Sequence, residues 1–411
     1  MKRVLLGTSA LLGVGILVNP ALAEEPIRIS IGGYYKAAYM VIDDDNGMLD
    51  EDDNSNPQLG HNTNRDGLFS DAEIHFIGST VLDNGLEVGL QIELEGEDQF
   101  GDQVDEAYIW FGGGFGELRV GSDDEALHKA CVIPPGGSSN FSAFSPNQWA
   151  ANTGGLMSAF SGFGDNSICT GVDGSTDAQK LIYTSPVFAG FQLTASYTPS
   201  GGDETHGEGV GTHVGMPTNT PGKSRHNTSV GLNYGYEGDG WGLATSLGGS
   251  WEGHREEDND ALGGGNISFG EQDFYQAGIN LFIGNFAIGV GGEYYHDLVD
   301  IRIESDSITS DSWVAGIGMS YAHDAWIFGA QYSHREDEFA ISTDEGEELT
   351  LTQDRVIGTV TYLFGPGMNF DASVAYTWLD TDPEAGVLLD EDGELNDYQA
   401  LEFGVGATLT F

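Results

Sequence analysis

Leu401-Glu402-Phe403-Gly404-Val405-Gly406-Ala407-Thr408-Leu409-Thr410-Phe411 closes the chain with a strict two-residue period. Successive side chains of an extended strand point to opposite faces. Leu401, Phe403, Val405, Ala407, Leu409 and Phe411 therefore share one face, and Glu402, Gly404, Gly406, Thr408 and Thr410 share the other. Such a strand is oily on one side and wet on the other. The same period recurs near the opposite end, where Ile27, Ile29, Ile31, Tyr35, Tyr39 and Val41 alternate with Arg28, Ser30, Tyr34 and Lys36. It recurs again where Leu86, Val88, Leu90, Ile92 and Leu94 alternate with Glu87, Gln91, Glu93 and Glu95. A soluble sandwich alternates as well, so the connections have to decide.

Working outward, sixteen candidate strands are found at 27–42, 68–80, 86–96, 103–112, 115–121, 179–186, 190–198, 227–237, 240–252, 272–283, 285–297, 310–322, 325–336, 349–364, 367–380 and 397–411. Asp83-Asn84-Gly85, Gly112-Gly113-Gly114, Gly284-Asn285, His323-Asp324 and Gly365-Pro366-Gly367 are tight turns, and the connections between them are expected to run to a dozen residues or more. Short and long connections on opposite ends are the mark of an up-and-down outer-membrane barrel, with the short ones periplasmic. A Greek-key sandwich has no reason to keep that order. Trp241, Trp251, Trp313, Trp326, Trp378, Tyr362 and Phe411 lie near strand ends on the presumed outer face, where interfacial girdles belong. Large aromatics also pack sandwich cores, so the girdle adds support without deciding the fold.

At the N-terminus, Lys2 and Arg3 precede an apolar run from Val4 to Val18, and Asn19-Pro20-Ala21-Leu22-Ala23 ends in an Ala-x-Ala pattern. The run is shorter than the ~20 residues of a membrane-spanning helix, so residues 1–23 read as a cleaved secretory signal and 24–411 as one barrel domain. Beyond the signal no apolar run is long enough to span as a helix, which leaves a closed sheet as the only membrane structure that satisfies its backbone. The chain carries 14 Lys and Arg against 65 Asp and Glu, a formal charge of −51. A field of that sign excludes nucleic acid as a partner. Disorder is excluded by the 11% of aromatic residues, and 62 glycines against 12 prolines suit many turns and strands. Cys131 and Cys169 are the only cysteines; in an oxidising compartment the pair reads as a structural disulfide, with no His or Cys neighbour at zinc spacing.

The runs Phe69-Ser70-Asp71-Ala72-Glu73-Ile74-His75-Phe76-Ile77-Gly78, Leu82-Asp83-Asn84-Gly85-Leu86, Val104-Asp105-Glu106-Ala107-Tyr108-Ile109, Phe115-Gly116-Glu117-Leu118-Arg119-Val120-Gly121 and Tyr183-Thr184-Ser185-Pro186-Val187-Phe188-Ala189-Gly190-Phe191, together with Phe411, resemble the Gram-negative general porins, especially those of alphaproteobacteria. The resemblance implies an all-β fold: a sixteen-stranded antiparallel transmembrane β-barrel with an inward-folded third external loop, assembled as a homotrimer. It implies a passive channel for ions and small hydrophilic solutes in the bacterial outer membrane, in contact with its lipid and lipopolysaccharide, with no catalytic residue and no cofactor. Residues 122–178 match the position of the family's constriction loop. Phe141, Phe144, Trp149, Phe160 and Phe163 would anchor it, and both cysteines fall within it.

A pore selects by width and by the charges lining it. Alternation places Lys36, Arg119, Lys180 and Arg355 on the lumen face, opposite Asp123, Asp124, Glu125, Asp165 and Asp173 of the loop. The family implies a transverse field between a basic wall and an acidic loop; each base is equally readable as a solvated rim residue. Glu73, Glu87, Glu93 and Glu117 also point inward, which with the overall charge predicts cation preference. Asp43, Asp44, Asp45, Asp50, Glu51, Asp52 and Asp53 crowd the first external loop. Asp43, Asp45, Asp50 and Asp52 are calcium candidates, but Gly47 at the sixth position of an EF-hand would put Ile42 at the first, and a solvated acidic loop is the simpler alternative. The last loop, with Asp380, Asp382, Glu384, Asp390, Glu391 and Asp392, has the same ambiguity. The rivals from other classes are a barrel enzyme, for which His75 beside Asp71 and Glu73 lacks any G-x-S-x-G setting, and a surface adhesin.

Overall fold

Backbone extension follows the alternation closely. The computed structural model describes residues 27–44, 65–96, 104–144, 166–169, 178–201, 224–255, 267–303, 306–342, 347–382 and 398–411, most of them strand. In chain order these are β1 (Arg28–Asp44), β2 (Asp66–Val81), β3 (Glu87–Glu95), β4 (Val104–Gly113), β5 (Gly116–Ser122), β6 (Gln179–Thr184), β7 (Phe191–Ser200), β8 (Ser224–Glu237), β9 (Trp241–Trp251), β10 (Asp273–Ile283), β11 (Phe286–Ile303), β12 (Asp306–His323), β13 (Trp326–Ser342), β14 (Glu347–Gly365), β15 (Met368–Asp382) and β16 (Tyr398–Thr410). His254–Arg255 continues the β9 hairpin by pairing with β8, and Ile267–Phe269 precedes β10 and pairs with β11. One helical turn, α1 (Ala126–Ala130), follows β5.

Every strand pairs antiparallel with its neighbours in sequence, and the ring closes where β1 pairs with β2 on one edge and with β16 on the other. Tyr34 lies opposite Thr410 and Asp44 opposite Ala400 at that seam. Even the last residue is used, since the Phe411 backbone exchanges two 3.1 Å hydrogen bonds with Gly33. Closure removes the unpaired edge that hydrocarbon would penalise. Short connections at 82–86, 114–115, 185–190, 238–240, 284–285, 324–325 and 366–367 occupy one end of the barrel. At the other end, three connections fall short of the expected dozen residues. Between β11 and β12 and between β13 and β14 the strands continue further, for 17 to 19 residues, whereas β3 and β4, of 9 and 10 residues, are joined by a short connection between short strands.

The apolar core lies within the ring rather than between two sheets. Phe141, Phe144, Leu127 and Ile168 from the connection after β5 cluster with Ala38, Met40, Phe274, Tyr295, Val314, Ile357 and Ala375 of the strands. A Cys131–Cys169 disulfide ties the end of α1 to residues 166–169 of the same connection. Closing a loop of 38 residues stabilises the folded state by about 3–4 kcal/mol on chain-entropy arithmetic.

Candidate functional site

The two faces of the strands differ in kind. Leu181, Leu247, Val290, Phe328, Val374 and Val405 are exposed on the outside, where a lipid-facing band needs them. Tyr236, Trp241, Phe286, Trp326, Phe364 and Phe411 stand near the ends joined by short turns, and Tyr39, Tyr197, Tyr275, Tyr294, Trp313 and Tyr332 nearer the other end, all exposed. They form two aromatic girdles. The inward face is polar, and Ser196, Ser229, Ser246, Gln276, Asn280, Gln331, Ser333 and Thr359 on it are buried.

What buries them is the connection after β5. The amides of Ala126, Leu127 and Val132 donate to Ser196, Ser229 and Ser246 Oγ at 3.0, 2.7 and 3.0 Å. Asn280 Nδ2 donates to Ile133 O, Gln331 Nε2 to Pro134 O and Thr359 Oγ1 to Gly136 O, at 2.8, 2.8 and 2.7 Å. Asn140 Nδ2 reaches Asp371 at 2.7 Å and Thr408 at 3.2 Å. An irregular backbone buried in this way needs such partners for its N–H and C=O groups. Glycine makes the approach close enough: a Cβ at Gly278 would stand 2.2 Å from Val132 O, and one at Gly318 1.9 Å from Pro135 O.

The hydrogen bonds that seat residues 126–144 run from β7 round to β16, and apolar packing reaches Ala38 and Met40 of β1, so the charged inward side chains of β1 to β5 remain as the candidate site. Tyr34 and Lys36 come from β1, and Lys36 Nζ reaches Asp71 of β2 at 2.8 Å. Tyr34 Oη donates to Glu73. His75 Nε2 lies 2.7 Å from Glu73 and 3.4 Å from Glu93 of β3, and Gln91 donates to Glu93. On β4 the register shifts opposite Ile92 and Leu94. This extra residue brings both Asp105 and Glu106 to the lumen side: Asp105 approaches Glu73 and Glu95, and Glu106 accepts from the Asp124 amide at 3.4 Å. A bulge of this sort re-aims a side chain that simple alternation would send outward.

Arg119 of β5 stacks on Tyr108, 4.7 Å from the ring centroid, and bridges Glu117 at 2.6 Å and Asp123 at 3.0 Å. Lys129 also pairs with Asp123. Burial by itself would raise the Asp123 carboxyl, but Lys129 and Arg119 outweigh it and hold the group below the usual carboxylate range. His128 lies 3.5 Å from Asp124.

By register Lys36, Arg119, Glu73, Glu87, Glu93 and Glu117 share one face of β1 to β5. Lys180 and Arg355 share that face but are withdrawn from water, at 3% and 1% exposure. Lys180 donates to the Asp123 and Ala178 carbonyls, while Arg355 pairs with Glu402 and reaches Thr377 at 2.8 Å. Neither presents its charge to a bore. Asp123 and Glu125 are buried too, the latter receiving the Ser250 hydroxyl at 2.8 Å, and only Asp124 of the three is partly open. A basic wall facing an acidic loop is therefore not what the described residues form. The uncovered wall is itself acidic, and its bases are already paired. Asp165, Asp173, Asp45, Asp50 and Asp52 lie outside the described residues, as do Trp149, Phe160, Phe163 and the signal segment 1–23. Asp43 pairs with Arg65 at 3.1 Å. Glu95, Asp105, Glu106 and Tyr108 escaped sequence reading; for Asp105 the bulge is the cause, and no local signal announces it.

A closed antiparallel barrel, apolar outside between aromatic girdles and polar within, defines an outer-membrane channel. The family model described as Gram-negative porin matches residues 8–382, and the chain belongs to that family. No curated protein matches it by sequence. Among solved structures it is similar to OmpT, an outer membrane protein of Vibrio cholerae folded in vitro, at 13% identity and TM-score 0.55, over 95% of this chain and 99% of that one. The trimer form of that protein matches at 14% identity and TM-score 0.55, over 94% and 100%. An anion-selective porin from Comamonas acidovorans matches at 14% and 0.52, also over 94% and 100%. At such identities the likeness is one of fold.

Proposed function

We propose that this chain forms a passive, cation-preferring channel for ions and small hydrophilic solutes, performing no reaction and using neither cofactor nor energy source. The observation that carries the preference is the carboxylate wall of β2 to β4. Asp71, Glu73, Glu93, Glu95, Asp105 and Glu106 face inward there, whereas Lys36 and Arg119 on the flanking strands are each bonded to carboxylates. A cation 4 Å from one uncompensated carboxylate gains about 1 kcal/mol even at the dielectric of bulk water, and more beside protein. An anion loses as much.

Residues 122–178 serve as the constriction, narrowing the bore toward β1 to β5. The seating of 126–144 on inward-facing side chains supports this. Residues 1–23 are the cleaved export signal, and 24–411 make a single domain in the outer membrane. Three copies associate, with their remaining outward faces against outer-membrane lipid and lipopolysaccharide; a trimer form among the structural neighbours supports the assembly. Reversal potentials in a planar bilayer under a potassium chloride gradient test the proposal, with a cation-selective sign expected. Anion selectivity rejects the preference, and the absence of any conductance rejects the channel.

A further inference from the structure

We propose that Glu73, His75 and Glu93 form a binding site for one divalent transition-metal ion of the Zn2+ class in the wall of the bore; the inference rests on that wall being open to water. Sheet register creates the arrangement. His75 of β2 is directly opposite Glu93 of β3, and Glu73 is two residues from His75 on the same face. One donor atom from each residue falls within 4.8 Å of the others. The imidazole Nε2 is 2.7 Å from the Glu73 carboxylate and 3.4 Å from that of Glu93. Zinc binds nitrogen and oxygen at about 2.0–2.2 Å, so tetrahedral ligand atoms stand about 3.4 Å apart. Small side-chain rotations suffice to open the three donors around an ion, leaving its fourth position to water from the bore.

The donors are also held from behind. Tyr34 donates to Glu73 and packs edge-on to His75, while Gln91 donates to Glu93. Ligating carboxylates are commonly oriented by such outer hydrogen bonds. Glu93 is 8% exposed, yet the His75 and Glu73 side chains keep 23% and 15%, so the cluster is both sheltered and reachable. The nitrogen donor sets the metal class, because imidazole suits zinc, nickel and copper, whereas calcium and magnesium take oxygen. The all-oxygen group of Glu73, Glu95 and Asp105 lies alongside and concentrates cations near the mixed site. A second mixed cluster, His296, Asp297 and Asp311, differs in place. It stands on the lipid-facing side, and Asp311 already accepts from Tyr294, His296 and the Asp297 amide.

Equilibrium dialysis of the purified, detergent-folded protein against Zn2+ tests this apart from conduction. One ion per chain is expected. The substitutions His75→Gln and Glu93→Gln are each expected to weaken binding at least about tenfold, the lower bound for disturbing even an outer-shell partner. His296→Gln is expected to leave it unchanged, and Mg2+ in equal amount is expected not to compete. In planar bilayers Zn2+ then lowers the wild-type potassium conductance and affects the His75→Gln channel only at concentrations at least about tenfold higher. No bound Zn2+, binding that survives both bore substitutions, loss on His296→Gln, or equal displacement by Mg2+ overturns the proposal. A protein that binds Zn2+ at His75 but conducts no ions sinks the channel reading and leaves the site standing.

Discussion

Replacing Gly318 by Ala places one methyl group where the interior segment rests on β12. The new Cβ would lie 1.9 Å from Pro135 O, so the segment has to lift by more than an ångström. Its neighbouring carbonyls, Pro134 O and Gly136 O, are held by Gln331 at 2.8 Å and Thr359 at 2.7 Å, and a lift of that size breaks both bonds. Each buried acceptor left without its donor costs about 1–3 kcal/mol, and overpacking adds a comparable term. A local loss of at least about 3 kcal/mol is therefore expected, which speeds opening by about 140-fold or more at about 1.4 kcal/mol per factor of ten. Hydrogen exchange reads it directly, through the Ala126, Leu127, Val132 and Ala143 amides that donate to wall side chains. Gly358→Ala is the control, since its nearest neighbour would be 3.8 Å away. Should these four amides exchange equally slowly in both variants, the seating described here is wrong.

Glu73→Gln or Glu93→Gln is expected to reduce the cation-to-anion permeability ratio by up to about 30-fold, since one unit charge about 4 Å from the path shifts cation and anion by about 1 kcal/mol each in opposite directions; reversal potentials measure it, and an unchanged ratio argues that ions pass elsewhere. Cys131→Ser with Cys169→Ser releases the cross-link and is expected to cost the segment about 3–4 kcal/mol, visible as faster hydrogen exchange at the Val132 and Ala143 amides than in the parent. Asp123 has a depressed carboxyl in the folded state, so its contribution is complete above the ordinary Asp value of about 3.9 and is lost as pH falls through the lower folded value. Asp123→Asn is expected to bring that loss to neutral pH, and a variant with undiminished thermal stability at pH 7 contradicts it. Leu247→Arg, on the exposed outer face, is expected to destabilise the barrel in lipid by about 2–4 kcal/mol if it sits near the midplane, measured by denaturant titration in vesicles.

Much of the framework was legible because a half-buried strand writes its two environments into alternate positions. Leu401 to Phe411 and Ile27 to Val41 keep in the folded chain the phase they show in sequence, and the antiparallel register follows from it. The site was legible only where that rule holds without interruption. Glu73, Glu93, Glu106 and Arg119 keep that phase; Asp105 does not, because a single extra residue on β4 resets the count. Lys180 and Arg355 show a different limit. Alternation gives direction but not cover, and the cover comes from residues more than fifty positions away in Lys180 and further still around Arg355. The glycines that admit the segment look, in sequence, like any others in a chain with 62 of them.

Asn140 bonds to Thr408 across 268 positions of sequence, and that separation orders events in time. The partners that hold residues 126–144 are spread from β7 to the final strand, so the segment has nowhere complete to settle until the last hairpin has joined the first strand. Long-range contacts of this kind are late and slow to form. During biogenesis residues 126–144 therefore take their final seat only once the ring is complete.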